Sequence, residues 1–327
     1  MRNFKLLRIW TVLCAIVLVG AGEVAFAQGY PSKPIRIIVG FAPGGATDLM
    51  ARLIGQKLSE SLKQPVVVEN HPGAGTSIAI NFVSKAAPDG YTLLKASFSL
   101  TINPSLYPNQ PYDVIKDFEP ITRTASMPMH LVVHPSLPVK SVKELIALAK
   151  SKPGKLDYAS AGVGSADHLA GELFKSMAGV DIVHVPYKGT APALNDVLAG
   201  IEPIIFEAFP PLLPHIKAGK LRYLAVCGPK RNPLFPDVPT VSEAGVPGYE
   251  ITTWVGISAP KGTPKEIVTL LNREIVKILD MPDIKEKFAN MGADTAGSAP
   301  EEFSAFIQAE VKKWSKVIKD AKIKVEQ

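Results

Sequence analysis

Phe41-Ala42-Pro43-Gly44-Gly45-Ala46-Thr47-Asp48 is the stretch of this chain whose residue types and spacing best suit binding chemistry. Two successive glycines let the backbone turn sharply and bring N–H groups close to a ligand. The turn lies between a β-branched run and a helical pattern, and a helix N-terminus favours negative charge. The arrangement points to an anion site; on its own it is equally consistent with a tight turn in which Asp48 caps the helix. A second stretch of the same kind, Ala159-Ser160-Ala161-Gly162-Val163-Gly164-Ser165, joins another strand pattern to a helix whose apolar stripe is Leu169, Leu173, Phe174 and Met177. Ser160 and Ser165 add hydroxyls there. Two such turns, one in each half of the chain, could close on one carboxylate from both sides.

Other chemistries fit less well. His71-Pro72-Gly73-Ala74-Gly75-Thr76-Ser77 also precedes a helix, but Ile78 stands where a dinucleotide fingerprint has its last glycine, and no GxxxxGK[ST] occurs. Ser165, Asp167 and His168 supply the residue types of a hydrolase triad. Neighbours on one helical turn cannot form the required nucleophile, base and orienter chain, and there is no G-x-S-x-G elbow. His130 and His134 fall on a strand pattern, where four residues span about 13 Å, too far to chelate one metal ion. No metal site and no cofactor is expected.

The elements that must position these turns are read from periodicity. Strand patterns at 35–41, 65–69 and 91–95 alternate with helical patterns, the helix from Leu49 to Leu62 carrying Leu53, Ile54 and Leu58. A second series begins near Met129, with strands at 131–134, 156–160, 182–185, 203–207 and 221–227 and helices between them. Strands and helices alternating in this way predict α/β lobes built on parallel sheets. Ser141 with Glu144, Thr263 with Glu266, and Ser298 with Glu301 have capping-box spacing and mark three helix starts. The last helix carries an apolar stripe of Phe303, Phe306, Ile307, Val311, Trp314, Val317 and Ile318, expected to lie on the first lobe.

The first 27 residues read as a secretory leader: Arg2, Lys5 and Arg8, an apolar run from Ile9 to Gly20, and small residues before a cleavage point after Ala27. The run is shorter than the roughly 20 residues a membrane-spanning helix needs. Cleavage removes Cys14 and leaves Cys227 as the only thiol, so no disulfide forms within the mature chain. The net charge of +6 suits anionic ligands. The basic residues of the last helix follow acidic ones, the order that complements a helix dipole, and argue against a nucleic-acid patch.

FAPGGATDLMAR at 41–52, ENHPGAGTS at 69–77, AAPDGYTLL at 86–94, YASAGVGSADHLAGELF at 158–174 and HVPYKGTAPAL at 184–194 make the chain resemble the Bug family, the periplasmic solute receptors of tripartite tricarboxylate transporters. The resemblance covers nearly the whole mature chain. It implies a two-lobed type II periplasmic-binding fold with the ligand cleft between lobes. Lobe 1 is expected at 28–128 and 229–327 and lobe 2 at 129–228. It also implies that a small carboxylate, a di- or tricarboxylate or an aromatic acid, is held by Phe41, Pro43, Gly44, Gly45, Ala46, Thr47 and Asp48 from one side. Ser160, Ala161, Gly162, Ser165 and His168 hold it from the other, with Ser97, Tyr187, Phe206 and Glu207 lining the cleft. The implied partners are the membrane subunits of the transporter, with the receptor acting as a monomer in the periplasm. Departures from the family pattern fall at Lys95-Ala96-Ser97-Phe98 and at Phe206-Glu207-Ala208-Phe209. Phe98, Phe206 and Phe209 could favour an apolar acid or simply pack, and Lys95 could meet a second carboxylate. A sensory receptor of the same fold, reporting to a membrane histidine kinase, and a secreted hydrolase are the alternative functions.

Overall fold

A computed structural model describes residues 29–324; the expected leader and its cleavage point lie outside them. The β-branched run after Pro34 forms strand β1 (Ile35–Val39), and the helical pattern that follows forms α1 (Ala46–Leu62). Met50, Ala51, Ile54 and Leu58 recur on one face of α1 and are fully buried with Ile35, Ile37 and Val39. The alternation continues with β2 (Val66–Asn70), α2 (Ser77–Ser84), β3 (Thr92–Ser97) and α3 (Ser99–Leu106).

The next element departs from the sequence reading. Strand β4 (Phe118–Val133) runs for 16 residues, beginning well before the expected strand at 131–134. Pro120 and Pro128 disguise it, since proline cannot donate to a ladder and is confined to irregular or edge positions. The ladder with the later strand Thr252–Pro260 shifts register between Pro120 and Thr122 and again between Arg123 and Ala125. Beyond β4 come α4 (Val142–Ser151), β5 (Asp157–Ser160), α5 (Ala166–Ala178), β6 (Val183–Pro186), α6 (Thr190–Leu198), β7 (Ile204–Ala208), α7 (Phe209–Lys217) and β8 (Arg222–Val226). The chain then returns through β9 (Thr252–Pro260), α8 (Lys265–Leu279), α9 (Pro282–Asn290), β10 (Asp294–Thr295) and α10 (Pro300–Asp320).

Strand pairing divides β4 into two working halves. Residues 118–128 pair with β9, which continues through β3 and β1 to β2, while 129–133 pair with β7 and β8, with β5 and β6 beyond β7. The fold is accordingly α/β with two lobes joined by long shared strands. The directions matter most. β3 is antiparallel to β9 and β9 to β4, so β1, β2 and β3 run with β4 toward the junction at 128–129. β7 is antiparallel to β4, and β5 and β6 run with β7, so they approach the same junction from the other side. The C-terminal ends of both parallel sets therefore face one crevice, the place where open α/β sheets bind ligands.

A second crossing accompanies β4: Cys227 N donates to Met129 O (2.8 Å), and Ile251 N to Cys227 O (2.8 Å). Between these points the segment around 239–249 packs with the second sheet. Val226 N donates to Pro239 O (2.9 Å), and the Tyr249 hydroxyl to Ala170 O (2.9 Å).

Helix α10 closes the first lobe. Trp314 is fully buried, edge-on to Phe98 (5.1 Å), and its indole N–H donates to Glu310 (2.7 Å); Phe303 meets Trp254 at 5.5 Å. Burying one such side chain contributes about 1.5–3 kcal/mol relative to leaving it exposed. Of the three expected capping boxes, Ser141 does cap α4, accepting from Glu144 N (3.2 Å). The other two are corrected. Thr263 turns its hydroxyl to Pro260 O (2.8 Å), and α8 starts one residue later than expected. Ser298 uses its hydroxyl to accept from Arg123 N (3.1 Å), tying the start of α10 to β4, while Glu302 reaches back to Ala299 N (3.1 Å). Ser298 is drawn away by a tertiary partner, whereas Thr263 is taken by the carbonyl three residues before it.

Candidate functional site

Three turns from each lobe end at the junction: those after β1, β2 and β3, and those after β5, β6 and β7. The turn after β1 is solvent-exposed from Phe41 to Ala46. Gly44 adopts φ +89°, a left-handed conformation that suits glycine, and Gly45 enters α1 in an extended conformation. No side chain caps α1, and among the described residues the N–H groups of Gly45, Ala46 and Thr47 donate to no protein acceptor. Open N–H groups at the positive end of a 17-residue helix form a ready anion site.

Asp48 does not present its charge to this site. It is 1% exposed, and its carboxylate accepts from Gly44 N (2.9 Å), Arg52 Nε (3.0 Å) and Asn70 Nδ2 (2.8 Å). Asn70 also donates to Phe41 O (2.9 Å), and Arg52 to Asn70 Oδ1 (2.8 Å). Burial alone would raise the Asp48 pKa; the bonds from Arg52, Gly44 and Asn70 together hold it below the ordinary carboxylate value. Asp48 thus staples the turn into shape. Arg52 and Asn70 were missed in the sequence; the i, i+4 spacing of Asp48 and Arg52 was the only local signal for either.

The turn after β5 is built differently. Ser165 caps α5 by accepting from His168 N (3.3 Å) and donates to Gly162 O (2.6 Å). Ala161 N donates to Asp167 Oδ2, and Gly164 N to His168 Nδ1 (3.0 Å). Ser160 is fully buried; its hydroxyl lies 2.6 Å from His184 Nε2 and accepts from Gly162 N (3.1 Å). The His168 and His184 rings stack at 3.8 Å. Burial, then the neighbouring histidine and Lys175, lowers His168 to about 3; burial, then Lys175, lowers His184 to about 4, so both are neutral at neutral pH. Gly162 has φ +137°, and a Cβ there would sit 3.1 Å from Tyr187 O. Tyr187 N donates to Ser160 O (3.0 Å), and its hydroxyl to Asp196 (2.6 Å).

The polar side chains of this turn are engaged with one another and with its backbone. The Ser160 hydroxyl and the His168 Nδ1 face their own loop, because a buried hydroxyl or ring nitrogen must find a partner and the nearest ones are local. Ser165, Asp167 and His168 also form no nucleophile–base chain, each being bonded to a different backbone group.

Glu207, at the junction end of β7, is 6% exposed. Its Oε1 accepts from Ala208 N (2.7 Å), while Oε2 is buried without a partner. Burial first, and the charge of Asp167 second, push it up to about 7, and the same burial raises Asp167. Thr190, at the start of α6, stands beside Glu207 and was not foreseen.

The aromatic candidates are packing residues. Phe206 is fully buried on the opposite face of β7 from Glu207, against Phe174 (5.7 Å) and Tyr158 (6.2 Å). Side chains alternate faces along a strand, so Phe206 and Glu207 could not both line the crevice. Phe98 packs on Trp314, and Phe209 on His130 (4.8 Å) and Phe235 (5.8 Å). Lys95 is buried within the first lobe, its ammonium bonded to Thr124 Oγ1 (2.7 Å) and its pKa lowered to about 7 by burial. Ser97 ends β3 at the junction and is 7% exposed. Cys227 is buried at the second crossing. Among the described residues no group of three His, Cys, Asp or Glu side chains is placed to hold a metal ion, and no helix is long and apolar enough to cross a membrane.

The chain is similar to known proteins over nearly its whole length. A protein from the tcbD-tcbE intergenic region of Pseudomonas sp. strain P51 is 40% identical over 97% of this chain and 95% of its own length. Protein BugT of Bordetella pertussis is 40% identical over 95% of this chain and 96% of its own. Among solved structures, R. palustris Rpa4515 with adipate superposes with a TM-score of 0.76 at 40% identity, covering 90% of this chain and all (100%) of that one. MatC from Rhodopseudomonas palustris with bound malate gives a TM-score of 0.72 at 33% identity, covering 88% of this chain and 100% of that one. Residues 50–323 match the tripartite tricarboxylate transporter family receptor, TctC, and the chain belongs to that family.

Proposed function

We propose that the protein captures a small dicarboxylate in the crevice at the junction of its lobes and presents it to the membrane subunits of a tripartite transporter. One carboxylate rests on the open N–H groups of Gly45, Ala46 and Thr47, and the turn after β5 closes the other side. The observation that carries this reading is the uncapped, exposed N-terminus of α1, held open by an aspartate that is itself fully occupied. The adipate and malate bound to two relatives fit a site of this chemistry. On this reading the protein works as a monomer, in the periplasm, after cleavage of its leader behind Ala27, and performs no catalysis. On this reading, among the described residues, 29–128 and 252–324 form the first lobe and 129–251 the second, in place of the break expected at 228–229, because the 239–249 segment packs with the second sheet.

A screen of mono-, di- and tricarboxylates by thermal shift tests the reading, because a ligand that binds only the folded form raises its melting temperature. Dicarboxylates are expected to give the largest shifts. A panel in which no carboxylate shifts the transition contradicts the proposal.

A further inference from the structure

The lobe-2 half of the crevice already holds an acid. Glu207 sits where the N-terminal ends of α5, α6 and α7 converge, beside Asp167 and Thr190, with one oxygen taken by Ala208 N and the other buried and unpartnered. The groups around it are Asp167 on α5, Thr190 on α6, and His130, its cross-strand neighbour on β4. His130 supplies no positive charge, because burial lowers it to about 3 and its Nδ1 lies 2.6 Å from the Tyr223 hydroxyl. A buried carboxyl oxygen without a partner is costly, and a second carboxylate brought against it would be repelled. A hydrogen-bond donor on the ligand removes both problems at once.

We propose that Glu207 is the specificity-determining residue of this receptor, selecting acids that carry a hydroxyl or ammonium group beside the carboxylate, which is donated to Glu207 Oε2. The assignment rests on the carboxylate reading above. It divides labour between the lobes: the α1 turn takes the carboxylate, and Glu207 takes the donor on the same molecule. Thr190, which bonds toward the carboxyl, holds Glu207 in place for this contact, while the charge of Asp167 opposes a second anion there.

The test is calorimetry on the purified protein with three families of probe: succinate, malate and aspartate; glutarate, 2-hydroxyglutarate and glutamate; adipate, 2-hydroxyadipate and 2-aminoadipate. At the chain length that fits, and above about pH 7 where Glu207 is ionised, the hydroxy or amino acid is expected to bind about 10- to 100-fold tighter than the unsubstituted acid, the worth of one hydrogen bond to a charged group. Glu207→Met, which keeps the volume and removes the acceptor, abolishes that preference while leaving the unsubstituted acid bound as before or better. Glu207→Gln separates the two donors, retaining part of a preference for hydroxyl and losing one for ammonium. Equal or tighter binding of the unsubstituted acids by the native protein, or a preference that survives in Glu207→Met, overturns the assignment while leaving the carboxylate reading intact. Failure of all nine acids to bind contradicts that reading, and the assignment with it.

Discussion

After β1 the chain leaves Gly45, Ala46 and Thr47 with open N–H groups in solvent, whereas after β5 Ser165, Asp167 and His168 have already taken up N–H groups of their own loop. Both turns are glycine-rich, both join a parallel strand to a helix, and both face the same junction. The difference lies in where the acid goes. Asp48 is drawn back onto Arg52 and Asn70, so the first turn keeps its positive helix end for a guest. Asp167 folds over its own turn and has Glu207 beside it, so the second turn is neutralised before any ligand arrives. A glycine-rich strand-to-helix turn is thus an anion site only when its acidic neighbour is satisfied elsewhere.

The largest expected effect concerns the residue that the lobes do not share with the crevice. Phe206→Ala should destabilise the protein by about 3–5 kcal/mol, read by chemical denaturation, because it empties a site packed between Phe174 and Tyr158. A loss of affinity with unchanged stability would instead place Phe206 in the crevice.

Next comes Gly45→Val. Its φ of −75° accepts a side chain, and an added Cβ meets only Ala42 O, at 4.0 Å, so folding should be preserved. Crowding the open N–H groups should weaken dicarboxylate binding about 10- to 100-fold in calorimetry. Native affinity in this variant would remove the first turn from the account.

Glu207 sharpens the electrostatic half of the comparison. Its pKa is raised from 4.5 to about 7 by burial and Asp167, so the folded state keeps a proton that the unfolded chain has released. The stability this contributes is complete below about pH 4.5 and is lost as pH rises through about 7. The melting temperature of the native protein should therefore fall more steeply across that window than that of Glu207→Gln. Parallel curves would mean that Glu207 titrates as an ordinary carboxylate.

The smallest effect is expected for Ser165→Ala. Removing the cap of α5 should cost about 1 kcal/mol, with carboxylate affinity almost unchanged. The same separation is expected for Ser160→Ala, whose hydroxyl is spent on His184 and Gly162.

Much of the fold is legible in the sequence because periodicity and glycine turns are local signals: β1 followed by α1, β5 followed by α5, and the stripe of α10 all form where the pattern places them. The first eleven residues of β4 are not legible, since their two prolines and mixed polarity describe a strand whose ladder is irregular and whose partner, β9, lies more than 120 residues away. At the site, the backbone positions could be read and the side-chain roles could not. Ser160 looks like a donor to a ligand until His184 is seen within 2.6 Å, and Asp48 looks like a simple cap until Asn70 arrives from the next strand. Glu207 is legible in the sequence as a cleft residue and a departure from the family pattern; its unpartnered oxygen is a property of the fold.

The most direct measurement is a crystal structure of the protein with a dicarboxylate that stabilises it. The account predicts a carboxylate oxygen within about 2.7–3.2 Å of the amide nitrogens of Gly45, Ala46 or Thr47. A carboxylate seated on the start of α5, against Asp167 and Glu207, or lodged away from the junction altogether, would contradict it.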